Sequence, residues 1–83
     1  MENNHQTLII EIAIARRDSF RLQSLLEGED GLAIVRCFDP NGAAEHIHQQ
    51  LWSTPAQRQS LHDWLNNLPH DLPVQIVREW MRE

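Results

Sequence analysis

Glu27-Gly28-Glu29-Asp30-Gly31-Leu32-Ala33-Ile34-Val35-Arg36-Cys37-Phe38-Asp39-Pro40-Asn41-Gly42 is the stretch from which the fold can be read. A helix ends in it, a strand crosses it, and a turn sends the chain back. Gly28 is a natural helix stop. Leu32 to Phe38 alternates as a short strand. Pro40 sets its own φ, and Asn41-Gly42 tolerates positive φ, so a hairpin is expected there.

Upstream, Thr7 to Ala15 reads as a strand. Leu8, Ile10, Ile12 and Ile14 share one face at period two, and Ile9, Glu11 and Ala13 share the other. Both faces are fairly apolar, which suits a central strand. Asp18 is placed to cap a helix over Ser19 to Glu27, with Leu22, Leu25 and Leu26 as its inner stripe. Phe20 lies on roughly the opposite side. Glu27, Glu29 and Asp30 sit at the helix end that disfavours acids, which reads as a solvated loop.

Downstream, Ala43 to Trp52 fits two patterns. Ala43/Ala44, Ile47 and Leu51 recur at helical spacing, but an Asn-Gly turn directly after a strand favours a returning strand. Thr54, Pro55 and Gln57 form a capping-box pattern ahead of a second helix. Its stripe is Leu61, Trp64, Leu65 and Leu68, and Asn66-Asn67 and Pro69 end it. Val74 to Met81 reads as a last strand, with a terminal helix as the alternative. Met1 to Gln6 reads as a polar tail.

The order strand, helix, strand, strand, helix, strand implies an α+β domain of ferredoxin-like βαββαβ type. Right-handed crossovers place both helices on one face of a four-stranded antiparallel sheet. The whole chain, 1–83, is then one domain with an open sheet face.

The run Leu25-Leu26-Glu27-Gly28-Glu29-Asp30-Gly31-Leu32-Ala33-Ile34-Val35-Arg36, followed by Asp39-Pro40, resembles a family of small bacterial domains similar in outline to ACT-type ligand-sensing domains. That resemblance implies the same fold, pairing through sheet edges or helices, and amino-acid binding at the interface. The loop after the first strand in such domains carries a glycine. Here it is Ala15-Arg16-Arg17-Asp18, without one.

Composition narrows the function classes. At 83 residues the chain buries roughly 60–65% of its unfolded surface, so it must use nearly every large apolar residue or self-associate. Twelve acids against seven basic residues, all arginine, give a net charge of −5, which argues against a sequence-independent grip on nucleic acid. One cysteine excludes an internal disulfide. No apolar run is long enough for a bilayer span, and no leader segment is expected, so a cytoplasmic location is the reading.

Three sets of side chains could carry function. Cys37, His46 and His48 would share a face if the hairpin closed at Asn41-Gly42, and could hold zinc with one position open. Arg16 and Arg17 near a helix N-terminus, with Arg21 and Arg36, could take an anionic ligand. Phe20, Trp52 and Trp80 fall outside the helix stripes and suit an interface. The plainer readings are a small cysteine beside solvated histidines, arginines paired with nearby acids, and tryptophans closing the sheet ends. Ser60, His62 and Asp63 are adjacent on a helix and do not face one another, so they form no catalytic triad. The expected role is therefore non-enzymatic, with no cofactor: an interaction or regulatory module that self-associates or docks a protein partner. A small-ligand or metal sensor is the alternative.

Overall fold

The computed structural model describes residues 6–37 and 45–83. The expected Asn41-Gly42 turn, Phe38 and most of the polar tail lie outside the described residues. In chain order the elements are β1 (Thr7–Ala15), α1 (Ser19–Glu27), β2 (Ile34–Cys37), β3 (His46–Ser53), α2 (Arg58–Asn66) and β4 (Val74–Arg82). Single 3-10 turns, Arg16–Asp18 and Pro55–Gln57, lead into the two helices. The four strands form one antiparallel sheet in the order β2-β3-β1-β4. This is the ferredoxin-like arrangement, and both segments with a helical alternative are strands.

Burial explains the strand order. Leu8, Ile10, Ile12 and Ile14 of β1 are all at or below 1% exposure, and so is Ile9 on the other face. A strand hidden on both faces must lie inside the sheet. Ile47 and Leu51 of β3 line up with Ile14 and Ile10, and Leu22, Leu26, Leu61 and Leu65 cover them from the helices. Leu32 and Leu72 close the same core from the connectors. Leu25 and Phe20 stay outside it, Phe20 at 81% exposure.

The hairpin register differs from the expected one. Ile34 pairs with Trp52, Val35 with Leu51, Arg36 with Gln50 and Cys37 with Gln49. A two-residue Asn41-Gly42 turn would have opposed odd to even residues. Arg36 would then have shared a face with Ile47 and Leu51, inside the core. The register keeps Ile47 and Leu51 on the core side, and a one-residue slip would turn the whole strand over.

In β4 the sheet carries a bulge. Arg78 pairs with Glu11, but Ile76 pairs with Ile12, so Val77 is extra. Before the bulge, Val74 and Ile76 oppose Ile14 and Ile12 on the helix side. After it, Arg78, Trp80 and Arg82 oppose Glu11, Ile9 and Thr7 on the open side. An unbroken alternation would have driven Arg78 and Arg82 into the core beside Ile76.

Local capping differs in detail from the sequence reading. Neither Asp18 nor Thr54 makes a side-chain cap. Instead Ser19 Oγ donates to the Arg16 carbonyl at 2.9 Å, and the Gln57 N–H donates to the Thr54 carbonyl at 2.9 Å. Helix α1 stops at Gly28 in right-handed geometry, while the positive φ of 71° belongs to Gly31.

One polar side chain is inside the core. Gln49 is 3% exposed on the helix side, opposite Ile12, and its Oε1 has no hydrogen-bond partner among the described residues. An unsatisfied buried carbonyl oxygen costs about 1–3 kcal/mol. Gln49→Leu is therefore expected to raise the free energy of unfolding by about 1 kcal/mol, whereas Ile12→Ala should lower it by about 3 kcal/mol. Urea unfolding of both variants checks this pair.

Candidate functional site

The face that the helices leave open carries an ordered set of side chains. One row crosses all four strands: Ile34 of β2, Trp52 of β3, Ile9 of β1 and Trp80 of β4 are opposed in turn. The next row is Arg36, Gln50, Glu11 and Arg78. His48 and His46 continue the same face of β3 opposite Ala13 and Ala15.

Ile9 has no helix above it, yet it is 1% exposed. Its two neighbours in the row are the tryptophans, about 10 Å apart across two strand spacings, and their rings cover it from either side. Both tryptophans are half-buried as a result. Arginines complete the layer. Arg36 lies 4.8 Å and Arg82 5.8 Å from the Trp52 ring centroid, and Arg78 lies 4.5 Å from that of Trp80. The Trp52 Nε1–H donates to Gln50 Oε1 at 2.9 Å. Ile34, at the end of the row, is 65% exposed.

Two glutamates anchor the sheet in the same way. On the open face, Glu11 accepts from Arg78 Nε at 2.8 Å and from His48 Nδ1 at 2.7 Å. On the helix side, Glu79 of β4 accepts from Arg58 Nε and from His62 Nε2 at 2.7 Å. Arg58 and His62 stand four apart on α2, so one helix face grips the edge strand. Arg78 above all, then His48, hold the Glu11 carboxyl below its ordinary value of 4.5, against the opposing effect of burial. Arg58 and then His62 do the same for Glu79.

The anticipated groups are only partly assembled. Cys37 takes the register position opposite Gln49, out of step with His46 and His48, so the pairing on which a Cys37–His46–His48 centre depended is not formed. Among the described residues no three potential metal ligands cluster. Arg16 and Arg17 sit in the turn after β1, about 17 Å along the strand from the row that holds Arg36. The Arg16 N–H donates to the Glu45 carbonyl at 2.8 Å. Trp52 and Trp80 do come together, through Ile9, while Phe20 stands in the helix layer. Ser60 and Asp63 line a shallow cleft between α2 and the loop after α1, and His62 turns away from them to Glu79.

Sequence reading placed Glu11 with Ile9 on this side of β1 but missed Arg78 and Arg82 as members of the face. Period-two counting from Val74 assigns Arg78 and Arg82 to the wrong side, because the bulge at Val77 leaves no local signature. Among the described residues no helix is long and apolar enough to cross a membrane. The chain matches no family model, no curated protein and no solved structure. What the structure shows of the likeness to ACT-type domains is the order of elements.

Two outcomes are expected from this geometry. Trp52→Ala and Trp80→Ala, which each uncover Ile9, should destabilise by about 2 kcal/mol, while Phe20→Ala should change stability by less than about 0.5 kcal/mol. Chemical denaturation separates the two classes. The second concerns pH. The folded-state values of Glu11 and Glu79 are depressed, so their stabilisation is complete above the ordinary glutamate value and is lost as pH falls through the folded-state values. The urea midpoint should therefore drop on acidification from about pH 5 to pH 3, with a shallower drop in the Glu11→Gln/Glu79→Gln variant.

Proposed function

We propose that this protein is a non-enzymatic interaction or regulatory module whose open sheet face docks a protein partner. The observation that carries the reading is the row Ile34–Trp52–Ile9–Trp80 on the face without helices, overlaid by Arg36, Arg78 and Arg82. Tryptophan and arginine dominate the energetics of protein interfaces, because each combines a large apolar area with directional polar contact. Exposed Ile34 extends the apolar row to the sheet edge, where a partner can bury it. A cytoplasmic setting suits the lone Cys37, which stays a thiol there.

The charge of this face selects the partner. Glu11 is its acid among the described residues, and Glu11 is already engaged. A twofold face-to-face contact between copies would set Arg36 and Arg82 against like charges, which is unfavourable. An acidic partner surface is the better match. Self-association has support at a different place. β4 is a nine-residue edge strand with Ile76, Val77 and Met81 exposed at 38%, 44% and 43%. Its outer backbone groups could pair with a second β4, although the bulge at Val77 limits the straight length available.

Sedimentation over a wide concentration range, combined with affinity capture from the parent cells, tests both readings. Ile34→Asp with Arg36→Glu changes only exposed positions, so the fold should persist. Loss of a captured partner in that variant, with retention in Phe20→Ser, is the expected result. Capture that is indifferent to the face variant would overturn the docking reading. A concentration-dependent mass that Val77→Lys abolishes would favour edge pairing in its place.

A further inference from the structure

We propose that the rim of the sheet at Trp52 is a binding site for a small organic acid, with the carboxylate held by Arg36 and Arg82 and the apolar body in the adjoining cleft. This stands apart from the docking reading, since it needs no second protein. The first observation is a pair of like charges. Arg36 comes from β2 and Arg82 from β4, on opposite edges of the sheet, and both guanidinium groups lie within 6 Å of one indole ring. Other arginines are matched to acids: Arg21 to Asp71, Arg58 to Glu79 and Arg78 to Glu11. Neither Arg36 nor Arg82 has an ion-pair partner among the described residues. In a chain of net charge −5, this rim sets two positive charges beside one ring with no ion-paired acid among the described residues.

The second observation is the cleft that shares Trp52 as a wall. It has a volume of about 350 Å³ and runs along Leu32, Ala33, Ile34, Trp52, Thr7 and Thr54. Thr7 is the register partner of Arg82, and Trp52 is both a wall of the cleft and the ring that the two arginines overlie, so Trp52 joins the cleft to the charged pair. Its volume falls at the lower end of the range for small-molecule sites. Ser53 Oγ, also at the cleft, already donates to the Leu32 carbonyl. The walls therefore offer mainly apolar contact, with the threonine hydroxyls at the side.

These two features together define the ligand chemistry. A carboxylate matches the planar fork of a guanidinium and can accept two parallel hydrogen bonds from it. An apolar body of the size of a phenyl ring or a branched aliphatic chain fills the cleft. A bare inorganic anion would leave that cleft wet and gain nothing from it. A stacked nucleobase meets a Trp52 ring already overlaid by guanidinium groups.

The test is a titration of the 83-residue chain with 3-phenylpropanoate, followed by ¹H–¹⁵N NMR. A saturable shift is expected at the Trp52 Nε1–H and at the Arg36 and Arg82 Nε–H groups, with Trp64 unmoved. The neutral 3-phenylpropanamide should bind at least about tenfold more weakly, the worth of one charge-assisted contact. Inorganic phosphate should leave the Ile34 and Ala33 amides in place. Arg36→Gln/Arg82→Gln alters two exposed side chains, should keep the wild-type thermal midpoint within a few degrees, and should lose the acid to the same extent as the amide exchange. Equal binding of acid and amide, full binding by the double variant, shifts centred elsewhere, or no saturable shift at millimolar acid would each overturn the proposal.

Discussion

Hiding β1 on both faces is the constraint on which this structure depends. Leu8, Ile10, Ile12 and Ile14 account for one side, and a domain of this size has few other large residues to spare for its core. The helices cover that side through Leu22, Leu26, Leu61 and Leu65. The second side has no helix, so Ile9 is covered by aromatic side chains from both neighbouring strands. The tryptophans are thus part of the fold before they are part of any surface. A face that must be sealed by Trp52 and Trp80, and then overlaid by arginine, has the chemistry of a recognition surface as a by-product of stability.

The bulge in β4 makes this economy possible. Val74 and Ile76 are needed on the core side, and Arg78, Trp80 and Arg82 on the other, although all five are even-numbered. A regular strand cannot do both. Inserting Val77 reverses the alternation at one point, and Glu79 is thereby turned toward α2. Arg58 and His62 meet it there, so the helix and the edge strand are joined by a charged clamp where apolar packing is thinnest. Glu11, Arg78 and His48 repeat the clamp on the open face between β1, β4 and β3. Charge-assisted contacts of this kind contribute modestly at an exposed surface, and their value lies as much in fixing strand orientation.

Two arginines over one indole ring, neither of them ion-paired among the described residues, mark the Trp52 rim. Glu11 and Glu79 each consume an arginine and a histidine, and Asp71 consumes Arg21. Glu27, Glu29 and Asp30 lie at the C-terminal end of α1 and in the loop after it, whereas Arg36 and Arg82 lie over Trp52. Function is expected to follow that placement, whether the anion comes from a partner surface or a small acid.

The sequence by itself determined the order of elements, the bounds of β1 and α1, and the core positions Leu22, Leu26, Leu61 and Leu65 of the helices, although Leu25 of the expected stripe stays outside the core. Those features rest on local periodicity: four even-numbered residues in β1, and leucines three and four apart in the helices. It also singled out Trp52 and Trp80, because they fit no helix stripe, and Arg36 as a candidate anion contact. Only the tertiary structure decided that Cys37 opposes Gln49, that Val77 is an extra residue, and that Arg78 and Arg82 join the tryptophans. The reason is that register in a sheet is a collective property. It is chosen by which residues of several strands can be buried together, here Ile47 and Leu51 with Ile14 and Ile10.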